Sequence, residues 1–309
     1  MKKFIISIDQ GTTSSRVVLF DTKGFIQFIS QYEFKQHFPR NGWVEHNPNE
    51  IWSTTLKALK HVIKKAKSLK GHILTIGITN QRETTILWNK KTGKPVYNAI
   101  VWQDRRTQEY CKSLKNKNYE NTFRKKTGLF IDPYFSATKI KWILDNVKVS
   151  KKLIKTNNLL FGTVDTFLIW KLTKGKQHLT EATNASRTML FNINNNKWDN
   201  EILQKLKIPK GILPEVKNSA DNFGKTDKRV TGKEIPISAV LGDQQAAAVG
   251  QACFEKGSIK STYGTGAFVI MNTGSKKINS KNKLLTTICY RLNNTVSYTH
   301  LRAHETDSH

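Results

Sequence analysis

The sequence predicts an α/β fold, a sheet with crossover helices, on three observations. Residues 4–21 read as two apolar strands joined by a tight polar turn. A segment of helical period, apolar at Trp52, Leu56, Leu59, Ile63 and Ala66 with Lys on its other face, is followed by the nearly continuous apolar run 73–78, which suits a buried strand. A late run of the same kind, 235–241, ends at Gly242-Asp243-Gln244-Gln245, and Ala246-Ala247-Ala248 opens a helix. Strands mixed with crossover helices define this class.

In the opening hairpin, strand one runs to Asp9, the turn covers 10–15, and strand two begins near Arg16. The turn holds Gly11 and four hydroxyls, Thr12, Thr13, Ser14 and Ser15. Turn amides and hydroxyls can hold phosphate oxygens. A carboxylate such as Asp9, at the end of a buried strand, can hold Mg²⁺ or its water shell, and Arg16 adds fixed positive charge. An ordinary hairpin with a solvated turn accounts for these residues equally well.

Residues 25–34 predict a further strand and 42–48 a loop. Asn47 or Asn49 can cap the next helix, with Pro48 near its first turn, and Gly71 ends it. Residues 79–85 form a loop dense in hydrogen-bonding groups, followed by strands at 86–88 and 99–102. Helices are predicted around 106–115, 137–146 and 166–172, the last capped by Asp165, and a polar loop over 192–200. Near the end Gly264-Thr265-Gly266 lies between two strand-like runs, with Gly where close backbone approach is needed.

The 309 residues suffice for one large or two ordinary domains. No long uncharged apolar run indicates a membrane span, and the first residues lack a signal peptide's apolar core. Cys111, Cys253 and Cys289 are few and widely spaced, which predicts reduced thiols in a cytoplasm and neither a disulfide framework nor a zinc site. A net charge of +28 raises nucleic-acid binding. The Lys residues are spread over helices and turns without interleaved aromatics, so a solvated basic surface with no specific nucleic-acid partner is expected, and non-specific polyanion binding at low salt would follow.

Together these segments resemble the FGGY family of carbohydrate kinases, in its glycerol branch. Residues 9–16, 42–46, 77–85, 97–103, 132–146, 162–170, 183–192, 242–247 and 262–268 carry the resemblance, which spans 3–298. Residues 134–146 fit the family's N-terminal signature, with Lys139 and Trp142 in place. The resemblance implies the actin-like, ribonuclease-H-like ATPase fold, with a cleft between two domains, and ATP-dependent phosphorylation of glycerol to sn-glycerol 3-phosphate. It implies Asp243 as general base, Arg82, Glu83, Tyr134, Asp243 and Gln244 on the glycerol hydroxyls, and Trp102 and Phe268 walling the carbon backbone. Thr12, Thr13, Ser14, Arg16 and Thr265 would contact the ATP phosphates, and Asp9 would position Mg²⁺.

The family's chain is longer. The resemblance divides this one into an N-terminal glycerol and phosphate-loop domain over 1–252, the start of the C-terminal ATPase domain over 253–298, and a tail over 299–309 that fits no family segment. The tail holds three of the eight His residues, shows no apolar pattern that would pack, and is expected to come from an altered reading frame. With the second domain largely missing, the chain alone is expected to have little or no activity, and its full-length parent to be a homo-oligomer. At 230–234 some relatives bind an inhibitory sugar bisphosphate on a Gly-rich loop with Arg; Glu234 departs from that pattern. Two other readings are a family kinase for another polyol or ketose, and a basic nucleic-acid-binding module.

Overall fold

The computed structural model describes residues 1–263 and 266–305. Strands β1 (Lys2–Gln10), β2 (Ser14–Asp21) and β3 (Ile26–Glu33) form an antiparallel meander. Helix α1 (Pro48–Ser68) crosses over to β4 (Gly71–Asn80), which pairs parallel to β1. Strand β5 (Ile86–Asn89), helix α2 (Ser136–Asn146), strand β6 (Leu159–Gly162) and helices α3 (Val164–Leu172) and α4 (Ala182–Ala185) follow. Strand β7 (Ile237–Gly242) then returns parallel to β4 and completes a sheet of order β7-β4-β1-β2-β3. One register runs across its centre: Gln10 faces Asn80, and Asn80 faces Gly242. The three parallel strands therefore end together, at the edge where open α/β sheets build their sites.

The elements follow from local chemistry. Phe4, Ile6 and Ile8 alternate into the core from β1. Asn47 caps α1, its side chain accepting the Asn49 amide at 2.9 Å. The buried line of that helix is Ile51, Ala58, Leu59, Val62 and Ala66, one step round from the predicted one; Trp52, Leu56 and Ile63 flank it half-buried. Gly71 does not end the helix. Lys70 takes the left-handed conformation at φ 52°, and Gly71 opens β4, where a Cβ would strike the Phe4 ring. Asp165 is not a cap either: Thr163 is, and Asp165 lies buried in the first turn, accepting the hydroxyls of Thr163 and Thr180. The predicted loop 192–200 contains all but the first residue of a small hairpin, Phe191–Asn192 against Lys197–Trp198.

Helix α5 (Asp243–Gly250) leads to strands β8 (Ile259–Tyr263), β9 (Gly266–Gly274), β10 (Leu285–Leu292) and β11 (Thr295–Glu305), an antiparallel sheet of order β8-β9-β11-β10. Residues after Tyr298, expected to lack a packing pattern, continue β11. Thr299 and Leu301 are fully buried, and the strand pairs on both sides. Backbone pairing with two neighbours supplies what the side-chain pattern does not show. Residues 306–309 lie outside the described residues.

The buried His46 makes stability pH-dependent. Burial pulls the His46 imidazole down to about 3, and its ring nitrogens meet Gln36 Oε1 at 2.6 Å and Gln81 Nε2 at 3.4 Å, a pairing that suits the neutral ring. The unfolded state binds more protons between about pH 6.5 and 3, so this contribution is complete above that window and is lost as pH falls through it. Buried Glu181 and Asp165, pushed up to about 7 and about 6 by desolvation, act in the opposite sense. The test is therefore a difference: His46→Gln should reduce the stability change between pH 7 and pH 5 by about 2 kcal/mol relative to wild type, measured by denaturant unfolding at each pH. Parallel pH profiles would refute it.

Candidate active site

The site forms where β4 and β7 end. Past Asn80 the chain turns through Gln81, Arg82 and Glu83, and all three side chains are buried. Glu83 adopts φ 48°, left-handed for a non-glycine residue, a conformation that costs about 1–3 kcal/mol and persists only where its surroundings hold it. Ser136 Oγ, at the start of α2, donates to the Glu83 carbonyl at 2.9 Å, and Thr84 Oγ1 donates to Gln81 Oε1 at 2.9 Å. The Glu83 carboxylate accepts Arg187 Nε at 2.5 Å.

Asp243 starts α5 directly after β7. Its carboxylate lies 2.9 Å from Arg82 Nε and is 39% exposed, whereas the Arg82 side chain is 2% exposed. The Asp243 carboxylate is thus partly open to solvent, and the Arg82 guanidinium is locked behind it. Desolvation pushes the Asp243 carboxyl above the ordinary carboxylate range; Arg82 opposes this, and Glu83 and Asp9 add to it. Arg82 Nη1 also donates to Gln245 Oε1 at 3.3 Å, and Lys260 Nζ on β8 donates to Gln244 Oε1 at 2.7 Å.

Aromatic rings border these groups. The Trp102 ring packs edge-on against Tyr134 at 5.7 Å and Phe268 at 6.4 Å. Tyr134 is held from behind by the buried Lys139, whose Nζ donates to the Tyr134 carbonyl at 2.6 Å. Burial pulls that ammonium down to about 8. Trp102 also joins this wall to the opening hairpin, its indole donating to Thr12 Oγ1 at 3.0 Å.

The hairpin turn is tighter than predicted: β2 starts at Ser14, and the Gly11 amide donates to the Ser14 carbonyl at 2.9 Å. Ser15 is fully buried against Thr54 and Thr55 of α1, so it is a packing hydroxyl and faces no ligand. Thr12, Thr13 and Ser14 remain at the turn. Asp9 and Arg16 form an ion pair across β1 and β2 beside it. Thr265, with Gly264, lies outside the described residues. Among the described residues no cluster of three His, Cys, Asp or Glu side chains stands ready for a metal.

Four residues of this region carry no role in the sequence reading: Lys260, Gln245, Thr183 and Arg187. Gly242 N, next to Asp243, donates to Thr183 Oγ1 at 2.8 Å. Asn184 and Asn80 exchange side-chain amide bonds of 3.0 and 3.1 Å, and so tie α4 to the end of β4. Arg187 is fully buried. Its signal was a charged residue just before the apolar run Met189-Leu190-Phe191.

The chain matches the model of the FGGY family of carbohydrate kinases, N-terminal domain, over residues 4–250. It is 55% identical over 298 residues to a glycerol kinase of Petrotoga mobilis, covering 96% of this chain and 60% of that protein. The structure of Plasmodium falciparum glycerol kinase with ADP superposes with a TM-score of 0.94 at 40% identity, over 98% of this chain and 61% of that one. Xylulose kinase from Lactobacillus acidophilus shares the fold, with a TM-score of 0.85 at 21% identity over 97% of this chain and 60% of that one. The chain thus spans about 60% of the length of these relatives. No helix among the described residues is long and apolar enough to cross a membrane. The mixed α/β sheet is that of the actin-like ATPase N-terminal domain of sugar kinases, and the chain belongs to the FGGY family of carbohydrate kinases.

Proposed function

We propose that this site binds glycerol and that the protein of which it forms part phosphorylates glycerol with ATP. The observation that carries this reading is the convergence of a donor, an acceptor and a base where β4 and β7 end: Arg82 Nε lies 2.9 Å from the Asp243 carboxylate, and Glu83 follows directly in sequence. A small polyol needs such alternating donors and acceptors beside apolar walls, here Trp102 and Phe268, with Tyr134 and Gln244 completing the polar set. Asp243 takes the hydroxyl proton as that oxygen attacks the γ-phosphorus. Its raised pKa suits a base, and Arg82 keeps it oriented. Thr12, Thr13, Ser14, Arg16 and Thr265 hold the phosphates of ATP or the product ADP.

Asp9, partly exposed beside the turn and paired with Arg16, offers one carboxylate to Mg²⁺, which takes one or two carboxylates together with substrate phosphates. Asp9 would hold the ion, which when bound neutralises phosphate charge during in-line transfer. The buried free thiols Cys111, Cys253 and Cys289 support a cytoplasmic location. A homo-oligomeric full-length parent and the domain limits at 252 and 298 belong to the same reading, as does low turnover by the 309-residue chain alone.

Calorimetry with the 309-residue chain tests the reading. Glycerol should bind, and Arg82→Ala or Glu83→Ala should weaken it by at least about tenfold, the loss of one charge-assisted hydrogen bond. Saturable heat with a pentulose and none with glycerol would move the assignment to a ketose kinase of the same family.

A further inference from the structure

We infer that Arg187 is a positioning residue for polyol recognition: it holds the Glu83 carboxylate in the one arrangement that the site uses. This rests on the reading of the site as a glycerol site. Arg187 follows α4, 104 residues from Glu83 in sequence, and its Nε donates to Glu83 Oε1 at 2.5 Å. The two side chains are 0% and 1% exposed. Both terminal guanidinium nitrogens are buried without a hydrogen-bond partner. Instead the guanidinium centre lies 5.3 Å from the Tyr134 ring and 5.0 Å from the Phe135 ring. A buried cation with two unused donor groups is expensive to keep. Two aromatic faces and one carboxylate compensate it in part.

The placement is specific. A guanidinium kept only for stability would be expected to use its planar fork on the carboxylate. Here one nitrogen binds Glu83, and the ring contacts fix the plane. The Glu83 backbone is already held, left-handed and with its carbonyl tied to Ser136, so what remains to be placed is the carboxylate, and Arg187 binds it. The Tyr134 ring, itself proposed for the polyol, is one of the two faces that fix the guanidinium plane. The same short segment holds the rest of the site: Thr183 accepts Gly242 N beside the base, and Asn184 clamps Asn80 beside Arg82.

The test is a double-mutant cycle read by glycerol calorimetry on the 309-residue chain, with Arg187→Met, Arg187→Lys, Glu83→Gln and the double variant Arg187→Met/Glu83→Gln. Arg187→Met and Glu83→Gln should each weaken glycerol by about 10- to 100-fold, the range of one charge-assisted hydrogen bond. The double variant should bind no more weakly than Glu83→Gln alone, since Arg187 acts through Glu83. Losses that multiply, or Arg187→Met binding like wild type, would overturn the inference. If Arg187→Met does not fold, Arg187→Lys carries the test: the charge stays and the planar contact goes, so glycerol affinity should fall while the melting temperature holds. Unchanged affinity in Arg187→Lys would count against the inference. Wild-type chain that takes up no glycerol would instead remove the reading beneath it, a result separate from every variant outcome.

Discussion

Asp243→Asn should lower phosphoryl transfer by about 10²- to 10⁴-fold, the usual contribution of a positioned general base, and leave glycerol affinity within a few-fold. The asparagine keeps the size of the side chain and can still meet Arg82 through its carbonyl oxygen, but it cannot take a proton. The measurement is ATP-dependent glycerol 3-phosphate formation by a chimera in which residues 1–298 replace the matched segment of a full-length relative. The 309-residue chain serves for the affinity. Desolvation, Glu83 and Asp9 raise the Asp243 pKa and Arg82 lowers it, so the acid limb of the wild-type rate profile should report this carboxyl, with rate lost as pH falls through its value. That limb should disappear in Asp243→Asn. Turnover within tenfold of wild type would show that another group takes the proton.

Arg106→Met should destabilise the fold by about 3–5 kcal/mol, the cost of breaking a buried ion pair from one side. Arg106 donates Nε and Nη2 to the two Asp104 oxygens at 2.9 and 2.8 Å, and Nη2 also reaches Glu45 at 2.7 Å. The three side chains are at most 3% exposed. The guanidinium is stacked 3.8 Å from Trp43 and 4.6 Å from Trp142. Methionine fills part of the volume and leaves two carboxylates buried without a cation. The deficit should shrink in acid. Burial alone would raise the Glu45 carboxyl, but bonds from Asn98, Tyr97 and Arg106 hold it below its usual value in wild type. Its stabilising contribution is therefore present above the unfolded pKa and lost as pH falls. Denaturant unfolding at pH 7 and pH 4 measures both effects, and a deficit below about 1 kcal/mol at pH 7 would refute the argument.

The residues of the site were readable where their chemistry is local. Asp243 follows an apolar strand and opens a helix. Arg82 and Glu83 sit in a polar loop after another strand, and the hairpin turn announces itself by its Gly and hydroxyls. The burial of Ser15 is not legible, because a hydroxyl in a turn looks the same in the sequence whether it faces solvent or the Thr54 and Thr55 hydroxyls of a helix 39 and 40 residues away. Arg187 could not be assigned, because its partner Glu83 is 104 residues distant and one charged residue before an apolar run does not name its counter-ion. Residues 299–301 pack although the sequence shows no apolar pattern there, for a related reason. Their place in β11 depends on pairing with β9 and β10, and no side-chain period records that pairing.

The α/β order of elements, the helix cap at Asn47, the strand end at Asp9, the polar loop with Arg82, the strand-to-helix junction at Asp243 and the family are all legible in the sequence. These follow from periodicity, caps and short motifs, which act over a few residues. The register that lines up Gln10, Asn80 and Gly242, the left-handed Glu83 held by Ser136 and Arg187, and the aromatic contacts joining Trp102 to Tyr134 and Phe268 arise only in the folded chain. Such contacts come from close packing between segments far apart in the chain, where geometry settles which of several chemically equivalent partners each group meets.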